Sequence, residues 1–60
     1  MNRMKELRAR KRMTQFDLRL KTGIHQSKIS LAENGYIQLT SEEKEKIARA
    51  LNVSVNEIWD

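Results

Sequence analysis

Charge and hydrogen bonding are the only chemistry that the side chains of this sequence offer. His25 is the one histidine, cysteine is absent, and no carboxylate pair or histidine beside a nucleophile has the spacing for general acid–base or covalent catalysis. Neither a catalytic residue nor a cofactor is expected. A structural zinc site needs clustered thiol and imidazole ligands, so no metal is expected either. What the chain does carry is cations: 12 Lys and Arg against 8 Asp and Glu, a net charge of +4. They are unevenly placed. Residues 1–30 hold nine Lys and Arg against two acids, a net of +7, and residues 31–60 hold three against six, a net of −3. Lys and Arg beside phosphates release counterions on binding, so this pattern suits a polyanion-binding face. A merely solvated basic helix would look the same, and charge alone leaves both readings open.

Those residues need elements to position them. Sixty residues make one domain at most, read here as residues 1–60, and a chain this short buries only about 60% of the surface its unfolded form exposes. No apolar run approaches the length of a membrane span, and the charged segment MNRMKELRARKRM lacks the apolar stretch of a signal peptide. The expected location is the cytoplasm, with no membrane partner. Proline is absent, no strand-like alternation occurs, and turn signals are few, so the chain reads as helices joined by short loops.

The first predicted helix runs from about Asn2 to Arg12, with Met4, Leu7 and the stem of Lys11 on one face. Thr14 is an N-cap for a second, Gln15 to about Thr22, with the Asp17 carboxylate beside its positive end. Gly23 closes it in a left-handed conformation, and Ile24 turns back to the core. A third helix opens at His25 or Gln26 and ends at Asn34-Gly35, both tolerant of positive φ. Thr40 with Glu43 forms a capping box for a fourth, with Ile47, Ala48 and Leu51 as its apolar stripe and Asn52 as its left-handed cap. Ser54 with Glu57 repeats the device for a terminal turn carrying Val55, Ile58 and Trp59. Two of these helices, joined by a short turn at Gly23, have the helix-turn-helix arrangement.

The stretch from Met13 to Gly35, MTQFDLRLKTGIHQSKISLAENG, resembles the Cro and phage-repressor type of helix-turn-helix domain, also called the xenobiotic-response-element family. Thr14-Gln15 matches the pair that opens the first motif helix, Gly23 the turn, and Glu33-Asn34-Gly35 the close of the recognition helix. The tail RALNVSVNEIW resembles the last two helices of the same domain, so the likeness spans nearly the whole chain. It implies an all-α, compact, five-helix, lambda-repressor-like domain that binds double-stranded DNA. Four positions depart from the family pattern. Arg19 stands where a small alanine is usual, Thr22 and Ala32 where bulky aliphatics are common, and Leu39 in place of a frequent proline, which predicts a looser preceding loop.

Ile29 and Ala32, three residues apart, face inward on the third helix, leaving Gln26, Ser27, Ser30, Leu31 and the capping His25 outside. The resemblance implies that Gln26 and Ser27 hold the principal base-reading positions and Leu31 the third. A glutamine amide can pair bidentately with adenine N6 and N7, whereas serine discriminates weakly and leucine offers only methyls to a thymine. His25 reads either as a further base or phosphate contact or as an ordinary helix start. Gln15 and Thr14, at the start of the second helix, together with Lys28 and Asn34, are the expected phosphate contacts. Some of Arg10, Lys11 and Arg12 add others, and the rest are only solvated. Glu33 would repel DNA unless neutralised, and the resemblance pairs it with Arg8 as a structural ion pair.

Phe16 and Leu20, one turn apart, stand where the family is usually polar; they either fill space left by Thr22 and Ala32 or form a small exposed patch. The expected function is that of a sequence-specific, repressor-like transcriptional regulator reading the major groove. Its alternative is a protein-interaction module or an antitoxin-like partner built on the same fold, with Phe16, Leu20 and Trp59 as contacts. One recognition helix spans only a few base pairs, so a weak homodimer completed on DNA is expected, joined near Ile58 and Trp59. No small-molecule ligand is evident.

Overall fold

A computed structural model describes residues 2–59. Five helices follow one another: α1 Met4–Arg10, α2 Gln15–Thr22, α3 Gln26–Glu33, α4 Ser41–Leu51 and α5 Val55–Ile58. No strand occurs among the described residues.

Side chains begin the helices where the sequence signals them. Thr14 Oγ1 accepts the Asp17 N–H at 3.0 Å while the Asp17 carboxylate accepts the Thr14 N–H at 2.9 Å, a reciprocal capping box. Thr40 and Glu43 repeat it at 3.1 and 3.0 Å. At α5 the Glu57 carboxylate accepts the Ser54 N–H at 2.7 Å.

Left-handed residues end them. Gly23 (φ 76°), Gly35 (φ 77°) and Asn52 (φ 57°) close α2, α3 and α4, so at the Asn34-Gly35 pair only the glycine takes positive φ. Asn34 has φ −92°. The first helix differs from the expected Asn2–Arg12 span at both ends. Arg12 itself is left-handed (φ 55°), with its N–H on the Ala9 carbonyl at 3.0 Å and the Met13 N–H on the Arg8 carbonyl at 3.0 Å. These two bonds make a Schellman closure with an arginine where glycine is usual. The helix therefore stops at Arg10, and Lys11 is exposed rather than laid along the apolar face. At the other end Asn2 lies outside the helix: its Oδ1 accepts the Met4 N–H at 3.0 Å and its Nδ2 donates to the Ala32 carbonyl at 2.8 Å. This staples the start of the chain to the end of α3.

The helices meet on a core in which Met4, Leu18, Ile29, Ile47, Leu51 and Ile58 are fully buried, each contributing about 1.5–3 kcal/mol by burial. Leu7, Ile24, Leu39, Ala32 and Ala48 complete it. Leu39 thus anchors the loop between α3 and α4 at the position where proline was the family habit. Buried Thr22 is satisfied without a larger side chain, because its hydroxyl donates to the Leu18 carbonyl at 2.8 Å and accepts the Ile24 N–H at 3.1 Å.

Candidate nucleic-acid interface

The α2–turn–α3 unit is held rigidly from beneath. Leu18 and Ile29 are buried on its inner side, Ile24 plugs the turn after Gly23, and α2 also packs on α4. The outer side of α3 is left to polar groups. Gln26 and Ser27 are exposed on its first turn, and Leu31 follows one turn later at 44% exposure. His25 is the N-cap: its Nδ1 accepts the Ser27 N–H at 3.2 Å and lies 2.9 Å from the Ser27 hydroxyl. With Nδ1 accepting, a neutral ring carries its hydrogen on Nε2 and keeps one donor for another partner. The Ser27 hydroxyl is therefore oriented by His25, whereas no hydrogen bond among the described residues constrains the Gln26 amide.

At the start of α2, Thr14 is exposed, and its hydroxyl oxygen is engaged in the capping box. Its hydrogen stays available. Gln15 Nε2 donates to Glu33 Oε1 at 3.0 Å, and the second hydrogen of that amide nitrogen remains to be placed. At the far end of α3, Asn34 Nδ2 donates to the Ser30 carbonyl at 2.9 Å, so the exposed side chain caps the helix.

Glu33 is the hub of this region. Its carboxylate receives Arg8 Nε at 2.7 Å, Arg8 Nη2 at 3.3 Å and Gln15 Nε2 at 3.0 Å, and its side chain is only 2% exposed. Arg8 uses its remaining arm on the Met13 carbonyl at 2.7 Å. One carboxylate thereby joins α1, α2 and α3 and has its charge neutralised.

Lys28 is arranged differently from a free phosphate ligand. Its Nζ donates to Glu43 Oε2 at 2.6 Å, tying α3 to the first turn of α4. This hydrogen bond, followed by that from the Thr40 N–H, holds the Glu43 carboxyl below its ordinary pKa. Asp17 is likewise lowered, chiefly by the Thr14 N–H.

Three features had no signal in the sequence. Lys28 and Glu43 are 15 positions apart, Gln15 and Glu33 are 18 apart, and neither pair has a local pattern that marks it. Tyr36, exposed at 77% just beyond Gly35, belongs to no apolar period. Phe16 and Leu20 do not fill the space beside Thr22 and Ala32; they are 49% and 65% exposed. The Arg19 guanidinium carbon sits 6.0 Å from the Phe16 ring centre, so the stem follows the helix surface and the charge stays near water.

A comparison with known protein families matches residues 4–58 to the helix-turn-helix family. Comparisons with curated proteins and with solved structures gave no match. The family match extends from the first residue of α1 to the last of α5, and the chain belongs to the Cro and phage-repressor class of helix-turn-helix DNA-binding domains.

Proposed function

We propose that this protein is a sequence-specific transcriptional regulator, repressor-like and cytoplasmic, that lays α3 in the major groove and reads bases with Gln26, Ser27 and Leu31. The observation that carries this reading is the division of α3: Ile29 and Ala32 are buried, while an unconstrained amide and an oriented hydroxyl stand exposed on its first turn. N-terminal residues of a recognition helix reach base edges most directly. His25 contributes through Nε2, and Thr14, Gln15, Lys28 and Asn34 position the protein on phosphates.

Residues 1–60 act as one unit, and two units bind half-sites about 34–36 Å apart. Ile58 is fully buried, so the joining surface falls to Trp59, which is half-buried with Lys44 Nζ 5.4 Å from its ring centre. The exposure of Phe16 and Leu20 favours a second role in protein contact, including an antitoxin-like partnership, alongside DNA binding.

Selection of bound duplexes from a random library, repeated with Gln26→Ala, tests the assignment. The variant should lose preference at one or two base pairs, at about 1–3 kcal/mol for each bidentate contact removed. An unchanged selected sequence would overturn the role of Gln26. Footprints that cover one isolated half-site, made by protein that stays monomeric on DNA, would overturn the dimer.

A further inference from the structure

Half of the twelve lysines and arginines of this chain have an ion-pair or aromatic partner among the described residues. Arg8 meets Glu33, Lys28 meets Glu43, Arg10 meets Glu6, Lys44 lies over Trp59 and Arg19 over Phe16. Lys21, Lys46 and Arg49 are, like Lys5, Lys11 and Arg12, outside these pairs, and they stand together. With Ala50 they line one surface depression of about 290 Å³, between the last turn of α2 and the C-terminal half of α4. Among the described residues no carboxylate lies within ion-pair distance of any of the three. Glu42 and Glu45 precede Lys46 and Arg49 by one helical turn on α4, the spacing at which such pairs form, yet neither pair is made. Asp17, one turn before Lys21, lends it some electrostatic support but spends its carboxylate on the Thr14 N–H.

Three cations lining one depression without an ion-pair partner repel one another, and a multivalent anion removes that repulsion. The chemistry of the set narrows the choice. Arg49 presents a planar fork suited to two oxygens of one phosphate, and the two ammonium groups are compact point charges that adapt to further oxygens. Ala50 supplies a small side chain that leaves the depression open. None of the four residues belongs to α3, and none is among the groups assigned above to bases or phosphates of the operator.

We propose that Lys21, Lys46 and Arg49 form a binding site for a compact diphosphate group, carried by free pyrophosphate or by a nucleotide, and distinct from the DNA-reading face. The test is a titration of isotopically labelled full-length protein, followed by amide and Arg49 Nε–H resonances at constant ionic strength. Its arms are pyrophosphate, a nucleoside diphosphate, sulfate and a short DNA duplex. Saturable one-to-one shifts confined to the end of α2 and the C-terminal half of α4 are expected with pyrophosphate, and weaker ones with sulfate. Equal affinity for the nucleoside diphosphate would assign recognition to the phosphates alone, and tighter binding would assign it to a nucleotide; either supports the site.

Lys46→Gln with Arg49→Gln should weaken binding about tenfold or more, because two charge-assisted contacts are lost. Arg49→Lys, which keeps the charge and loses the fork, should fall between this pair and the unsubstituted protein. All of these side chains are exposed, and a thermal melt of each variant checks its fold. Three results would overturn the proposal: non-saturating shifts spread equally over Lys5, Lys11 and Arg12, sulfate binding as tightly as pyrophosphate, or a duplex that shifts the same α2 and α4 resonances.

Discussion

Removing Arg8 probes the most buried ion pair among the described residues. In Arg8→Met the Glu33 carboxylate loses two of its three donors, at 2.7 and 3.3 Å, and keeps only Gln15. Because that carboxylate is 2% exposed, it cannot recover its hydration without opening the contact between α1 and α3. Breaking a buried pair from one side costs about 3–5 kcal/mol. Arg8 is 14% exposed, which places the cost near the lower end, and the lost bond to the Met13 carbonyl adds about 1 kcal/mol. A chain of this length has about 3–9 kcal/mol of total stability, so a loss of about 4 kcal/mol removes roughly half of it or more and should lower the melting temperature steeply.

Glu33→Gln in the same background removes the stranded charge while retaining an acceptor for Gln15. It should recover about half of the loss, about 2 kcal/mol, so the coupling is about 2 kcal/mol plus whatever Glu33→Gln costs alone, where 1 kcal/mol corresponds to about 4–8 °C in melting temperature. Thermal unfolding of the four proteins, followed by circular dichroism and by Trp59 fluorescence, closes the cycle. Additive effects of the two substitutions would refute the argument that a desolvated carboxylate drives the cost.

Glu43→Gln keeps an oxygen for the Thr40 N–H but releases Lys28, so the slope of log affinity for DNA against log salt should steepen by about 0.9, equivalent to about 3.5-fold between 50 and 200 mM. Titration of a fluorescent duplex at several salt concentrations measures it, and an unchanged slope would show that release from Glu43 adds no phosphate contact by Lys28. Asp17, Glu43 and Glu6, the last chiefly through its hydrogen bonds from Arg3, all have pKa values below their ordinary range. The unfolded chain therefore takes up protons first on acidification. Melting temperature should be level above about pH 5.5, decline below about pH 4.5, near the unfolded pKa values of Glu and Asp, and keep falling as the folded-state values are crossed; a rise on acidification would contradict the direction of the shifts. Arg12→Gly relieves a left-handed non-glycine residue (φ 55°) and should stabilise the protein by about 0.5–1 kcal/mol after the added flexibility of the unfolded chain is deducted, with an unchanged or lower melting temperature counting against strain at this position.

Helix starts and stops were the most legible part of the fold, because each is written in a few adjacent residues. Thr14 with Asp17, Thr40 with Glu43, and Gly23 and Asn52 all act through contacts within one turn, and they bound helices at the expected places. The close of the first helix was not legible, since nothing in Arg12 announces a left-handed residue. Its conformation follows from the bonds made by Met13 and Ala9 once the helix docks. The division of α3 into buried Ile29 and Ala32 and exposed Gln26 and Ser27 could be read from periodicity. What occupies each polar group could not, because Lys28, Gln15 and Asn2 find partners 15 to 30 positions away. Those partners depend on how helices cross, which the side-chain pattern of any one helix does not encode.

Gln15 shows how folding prepares for an event that follows it. Its amide is already anchored on Glu33, so much of its rotamer freedom is surrendered when the protein folds, not when a duplex arrives. Immobilising such a side chain at an interface ordinarily takes about 0.5–1.5 kcal/mol from the association. Here that entropic charge falls on the folding equilibrium, and a nitrogen with one hydrogen uncommitted is held in place beside the start of α2. If Gln15 meets a phosphate as proposed, the encounter selects an orientation that exists beforehand, and the discriminating adjustment is left to the unanchored amide of Gln26.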